Sequence, residues 1–211
     1  MSRVLIINAH PDFNSKEAIS LKLLDYFKEK LKSMEPTVEI EQVNLYNDNI
    51  PMVDAIVLSA WGKLREGTPI NEQEKIKIDR MNEILKQFKD IKQYVIAMPL
   101  HNFNIPSKLK DYMDNIMIAR ETFKYTEAGS VGLLYDDRKL LVIQASGAIY
   151  TNNDWYTEVD FAHKYLNSMF KFLGVEDYQL IRAQGTALLN EEEILANAYH
   201  EAEEAAKRFV N

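Results

Sequence analysis

The sequence predicts an α/β chain built on a doubly wound, five-stranded parallel sheet with helices on both faces. Three observations carry that prediction. The runs Arg3–Asn8, 94–98 and Lys139–Ala145 are short and almost continuously apolar, as strands buried on both faces must be. The stretches between them place apolar residues at helical intervals instead. The two patterns alternate along the whole chain, which is how βαβ units with a parallel sheet read in sequence. With 211 residues and no internal repeat, low-complexity tract or linker, a single domain over 1–211 is expected.

Each element follows from its own signals. Arg3–Asn8 is the first strand, and a loop leads to a helix beginning near Lys16–Ser20 and carrying Leu21, Leu24, Phe27 and Leu31 on one side. Glu35-Pro36 breaks that helix, and Val38–Asn44 alternates as the second strand. Residues 52–65 read as a short helix and 66–70 as a loop. Asn71 is placed to cap the next helix, whose apolar residues are Ile76, Met81, Ile84, Leu85 and Phe88. The third strand, 94–98, is stopped by Pro99, and Pro106 opens a helix, a position where a missing amide costs nothing. A long irregular loop covers about 121–137, and loops of that length in compact domains are usually functional. Lys139–Ala145 is the fourth strand. A helix over 157–173 buries Val159, Phe161, Tyr165, Leu166, Met169, Phe170 and Leu173, residues 177–183 form the fifth strand, and 191–210 close the chain as an amphipathic helix. Five such strands with helical crossovers give the flavodoxin-like strand order.

Composition bounds the function. The chain is 46% hydrophobic, with nine Phe, eleven Tyr and eight Met, ample for a core. No apolar run reaches the roughly 18 residues of a membrane span, and the first strand begins too early to leave room for a signal peptide. With no cysteine there is no disulfide framework, thiol chemistry or zinc-finger spacing, and a cytoplasmic protein without a metal site is expected. A net charge of −7, from 25 basic and 32 acidic residues, argues against general nucleic-acid binding. Ser146 lacks the glycine two positions earlier that a G-x-S-x-G hydrolase elbow requires.

In an open parallel sheet, ligands sit just beyond the carboxyl ends of the strands. Three loops qualify. The first, Asn8-Ala9-His10-Pro11-Asp12-Phe13-Asn14-Ser15, has no glycine, so it is neither a P-loop nor a GxGxxG turn. Small polar residues at a helix start suit one phosphate rather than two, or else Asn14 or Ser15 simply caps the helix; His10 contacts a phosphate or ring, or caps the loop. The second, Pro99-Leu100-His101-Asn102-Phe103, offers the Asn102 amide to the polar edge of a planar ring, while Phe103 either lies on that ring or anchors the turn. The third, Ala145-Ser146-Gly147-Ala148-Ile149-Tyr150, lets backbone approach closely at Gly147. Its serine and amides suit ring carbonyls, and Tyr150 either lines the mouth or covers the sheet. Since these loops follow neighbouring strands, their coincidence points to a mononucleotide site.

The chain resembles the FMN-dependent NADH:quinone oxidoreductase/azoreductase family over essentially its full length. The resemblance is carried by Pro99-Leu100-His101-Asn102-Phe103-Asn104-Ile105-Pro106, Leu109-Lys110-Asp111-Tyr112-Met113-Asp114, Thr122-Phe123-Lys124-Tyr125-Thr126-Glu127 and Gly132-Leu133-Leu134. Trp61-Gly62-Lys63-Leu64-Arg65 looks like the form seen in one branch. The resemblance implies a homodimer holding FMN near the subunit interface. It implies that Ala18, Ile19 and Ser20 meet the phosphate, with His10 close by. Pro99, Leu100, His101, Asn102 and Phe103 would meet the isoalloxazine, and Ala145, Ser146, Gly147 and Ala148 its pyrimidine side. Tyr125 would reach the flavin from the other subunit. Family members usually carry Ser at position 18, Tyr or Trp at 101, and Arg-Gly-Gly at 146–148, so flavin affinity and substrate range are where this chain would differ.

The chemistry so implied is hydride transfer from NADH or NADPH to the flavin, then reduction of quinones or cleavage of aromatic azo compounds, in a ping-pong sequence. No side chain is obliged to act as acid or base; Asn102, Tyr125 and Trp61 are the candidates for orienting substrate. Trp61 roofs the site from a neighbouring loop or, the commoner role for a tryptophan near a helix end, packs. The alternative is a flavodoxin-like carrier of single electrons without NAD(P)H turnover, against which the additional segments 52–90 and 119–137 speak.

Overall fold

A computed structural model describes residues 2–210. Its elements in chain order are β1 (Arg3–Asn8), α1 (Ile19–Met34), β2 (Glu39–Asn44), α2 (Ala55–Glu66), α3 (Glu72–Asp90), β3 (Gln93–Pro99), α4 (Ser107–Ile116), β4 (Phe123–Thr126), β5 (Gly129–Gly132), β6 (Lys139–Ser146), α5 (Trp155–Glu158), α6 (Phe161–Leu173), β7 (Asp177–Gln184) and α7 (Glu191–Val210). The five-stranded sheet runs β2-β1-β3-β6-β7 with every pair parallel, the expected flavodoxin-like order.

Side-chain alternation along each strand builds a core on both faces. Val4, Ile6, Val95, Ala97, Leu141 and Ile143 pack beneath α1 and α7. Leu5, Ile7, Tyr94, Ile96, Leu140 and Val142 pack beneath α3, α4 and α6. The chain winds outward in opposite directions from β1 and β3, so their carboxyl ends form the switch point where a crevice must open.

Three expectations are revised. The segment 121–137 is not irregular: β4 and β5 pair in an antiparallel hairpin. Its base leans on the end of α6, where Leu134 N–H donates to Leu173 (2.9 Å). A Cβ on Gly132 would fall 2.2 Å from the Phe172 carbonyl oxygen, so only glycine fits there. Second, the helix expected over 157–173 is interrupted after Glu158, because the Phe161 amide donates to the Phe103 carbonyl (3.1 Å). Phe161 is consequently 48% exposed rather than buried. Third, the buried stripe of α3 runs through Ile78, while Ile76 faces solvent.

Asn71 does cap α3. Its Oδ1 accepts from Glu74 N–H (2.9 Å), and Glu74 Oε2 accepts from Asn71 N–H (2.7 Å), a full capping box. The buried Glu74 carboxylate also accepts from Lys63 Nζ (2.8 Å) and Ser59 Oγ (2.7 Å), stitching α2 to α3. Lys63, the Asn71 amide and Ser59 together hold its pKa down, from the usual 4.5 to about 2. A depressed carboxyl stabilises the fold fully above its unfolded pKa, and that contribution is lost as pH falls through the folded value. Between about pH 4.5 and 2, then, thermal stability should fall more steeply in the native chain than in Glu74→Gln. Equal slopes for the two in parallel melts would contradict the role given to Glu74.

Candidate functional site

At the switch point the ends of β1, β3, β6 and β7 enclose an open cleft of about 400 Å³. It is lined by His10, Ala18, Ile19, Ser20, Pro99, Leu100, His101, Ala145, Ser146 and Gly147, all of them site candidates, and by Glu17, Thr186 and Glu191.

The phosphate-type corner is the start of α1. Ser15 Oγ accepts from the amides of Glu17 (3.3 Å) and Ala18 (3.2 Å), so that serine caps the loop and not the helix. The N-cap residue, Ala18, has no side chain that accepts a hydrogen bond. The amides of Ile19 and Ser20 therefore point out of the helix without a partner among the described residues. Ser20 Oγ is also buried and unpartnered. A buried hydroxyl normally finds a partner; here two amides, one hydroxyl and the positive end of a helix converge on one place for an anion. His10 Nδ1 lies 2.8 Å from the Asp12 carbonyl oxygen, which assigns the ring proton to Nδ1 when the ring is neutral and leaves Nε2 an acceptor.

The second wall is a two-residue turn. His101 N–H donates to Asn104 (3.0 Å) and Asn104 N–H to His101 (2.9 Å), with Asn102 at φ 45° and Phe103 at φ 66°. Two successive left-handed residues make this a type I′ turn. The conformation is costly for a phenylalanine and is typical of strain kept at functional sites. Leu100 N–H donates to Ala145 (2.8 Å), tying this turn to the third loop. Phe103 anchors rather than lines: its ring meets Trp155 edge-on at 5.1 Å, outside the cleft lining. Asn102 stands exposed at the tip of the turn with its amide unpaired among the described residues.

In the third loop, the carbonyls of Ser146, Gly147 and Ala148 accept from the amides of Thr186 (3.1 Å), Ala187 (3.2 Å) and Gly185 (3.1 Å). Ser146 Oγ donates to the Ala148 carbonyl (2.9 Å), so its hydroxyl proton is occupied within the turn. What this loop offers a ligand is its own amides, donors suited to the carbonyl oxygens of a pyrimidine ring. Tyr150 is buried behind the loop, against Tyr156 at 5.5 Å.

Two candidates lie away from the cleft in the single chain. Trp61 packs with Val57, Ala60, Ile78 and Met81 between α2 and α3. Tyr125, 74% exposed, stands on the β4–β5 hairpin. Sequence reasoning missed Thr186 at the end of β7, although the rule that found the other loops applies equally to that strand end. Lys22 Nζ bridges Glu191 (2.6 Å) and Glu17 (3.5 Å) at the cleft rim.

The parallel order β2-β1-β3-β6-β7 and a cleft with one anion corner and two backbone-rich walls define a flavodoxin-like, mononucleotide-binding protein. The sequence model of the family described as having a flavodoxin-like fold matches residues 2–207. An FMN-dependent NADH:quinone oxidoreductase 1 of Bacillus cereus is 61% identical over 212 residues, covering all of both chains. The protein of the same name from Lactiplantibacillus plantarum is 42% identical over 187 residues, 88% of this chain and 87% of the relative. Among solved structures, an FMN-dependent NADH-azoreductase from Bacillus anthracis str. Ames Ancestor, in complex with FMN, superposes with a TM-score of 0.98 at 60% identity, covering 100% of each chain. The azoreductase from Bacillus anthracis str. Sterne gives 0.90 at 30% identity over 99% of this chain and 100% of that one. The chain belongs to the FMN-dependent NADH:quinone oxidoreductase family. These relatives favour the oxidoreductase over the single-electron carrier.

Proposed function

We propose that this chain binds FMN in the cleft between residues 10–20, 99–103 and 145–148 and uses NADH to reduce quinones and aromatic azo compounds. The observation that carries the placement is the buried, unpartnered Ser20 Oγ beside the free amides of Ile19 and Ser20, a donor set that fits a single phosphate. FMN, when bound, supplies the chemistry of accepting a hydride from NADH and delivering it to the acceptor. The protein's part is placement. Ile19 and Ser20 hold the phosphate, and Ala18 leaves the approach to them open. Pro99, Leu100 and His101 form the wall for the isoalloxazine, and the amides of Gly147 and Ala148 address its pyrimidine oxygens. Asn102, free at the turn tip, is placed to orient substrate. No cleft side chain is assigned a proton transfer.

Tyr125 and the hairpin project from the body of the chain, which supports a homodimer in which Tyr125 of one protomer reaches the cleft of its partner. Among the described residues no helix is long and apolar enough to cross a membrane; with no cysteine in the chain, we assign it to the cytoplasm. NADH and quinone would share one open cleft, so initial-rate measurements varying both should give parallel double-reciprocal lines. Intersecting lines would require two substrates bound at once and would overturn the shared-site reading.

A further inference from the structure

We infer that Glu17 and Glu191 make this cleft selective for a flavin carrying a single terminal phosphate and turn away the pyrophosphate of FAD. The inference rests on placing the flavin phosphate at Ile19 and Ser20. The donors there number three, two amides and one buried hydroxyl, enough for one phosphate group. A second phosphate bonded to the first would have to lie in the same cleft, whose lining offers it the carboxylates of Glu17 and Glu191. Glu17 and Glu191 both line the cleft, and among the described residues no lysine or arginine does. Lys22, the cation between these two acids, is already engaged by both, at 2.6 Å from Glu191 and 3.5 Å from Glu17. Two carboxylates and one ammonium leave that rim with a net negative charge, facing the position of the extra phosphate. The Lys22–Glu191 contact also joins the first turns of α1 and α7, which fixes Glu191 at this rim.

Glu17 is almost fully exposed and Glu191 about half exposed, so their charges are screened and the two together discriminate by only several-fold. The test is fluorescence titration of the flavin-free full chain with riboflavin, FMN and FAD at low ionic strength. Native protein should prefer FMN over FAD. In Glu17→Gln/Glu191→Gln, the FAD-to-FMN ratio of dissociation constants should shrink by about threefold to fivefold. The ratio is the readout, because freeing Lys22 alters the affinity for both flavins. The native ratio should also shrink as salt is raised. An unchanged ratio in the double variant overturns the inference. Ser20→Ala separates this from failure of the site itself: if that variant keeps the full preference for FMN over riboflavin, the phosphate does not sit at α1 and both readings fall.

Discussion

Changing Ile19 to Pro and Ser20 to Ala together is expected to weaken FMN binding by about two to three orders of magnitude while riboflavin binding changes by about threefold or less. Ile19 is the first helical residue of α1, the position where proline is best tolerated in a helix. Ala18 before it is extended, with ψ 118°, the conformation proline demands of its predecessor. The double change therefore removes one amide donor and the Ser20 hydroxyl without breaking the helix. Each charge-assisted hydrogen bond to a phosphate contributes about 1.5–3 kcal/mol. Riboflavin has no phosphate and makes neither contact, so it reports on the remaining walls. Equal loss of both flavins would mean the cleft had collapsed; unchanged FMN affinity would place the phosphate elsewhere.

Arg138→Leu is expected to cost about 3–5 kcal/mol of stability, because it strips partners from several buried acceptors at once. The Arg138 guanidinium, 6% exposed, donates to the carbonyls of Phe88 (3.2 Å), Lys89 (2.9 Å) and Ile91 (2.9 Å), the last turn of α3. It also donates to the Tyr94 hydroxyl and pairs with Asp136 at 2.7 Å. These carbonyls have no intrahelical partner, so the arginine acts as the C-cap that the Ile91 backbone does not supply. For a chain of this size the loss corresponds to a melting temperature lower by roughly 10 °C. Arg138 sits where β6 begins, at the opposite end of the sheet from the cleft, so FMN affinity at room temperature should hold. A melt within about 2 °C of the native one would contradict the capping role.

The sheet was legible in the sequence because strands buried on both faces read as continuous apolar runs, and Pro99, expected to stop the third of them, is the last residue of β3. The cleft was legible for a positional reason: the carboxyl ends of neighbouring parallel strands must converge. What stayed hidden depends on contacts distant in sequence. Nothing local announces that Asn102 and Phe103 both take positive φ; the backbone there is held by the His101–Asn104 hydrogen bonds and by Phe161 on a later helix. The hairpin was read as a loop because its strands are four residues long and mostly exposed, so no apolar alternation marks them. Ser146 was assigned a donor role that the Ala148 carbonyl takes instead. Nothing in the sequence joins Lys22 and Glu17 to Glu191, 169 residues after Lys22; only the packing of α1 beside α7 brings them to one rim.

The most direct test of the central claim is an anaerobic titration of the FMN-loaded protein with NADH, followed by a quinone, in the visible spectrum. The flavin absorbance should bleach at one equivalent of NADH per flavin in a single two-electron step and return when quinone is added. Protein that takes up no FMN, or bound flavin that NADH leaves oxidised, would contradict it.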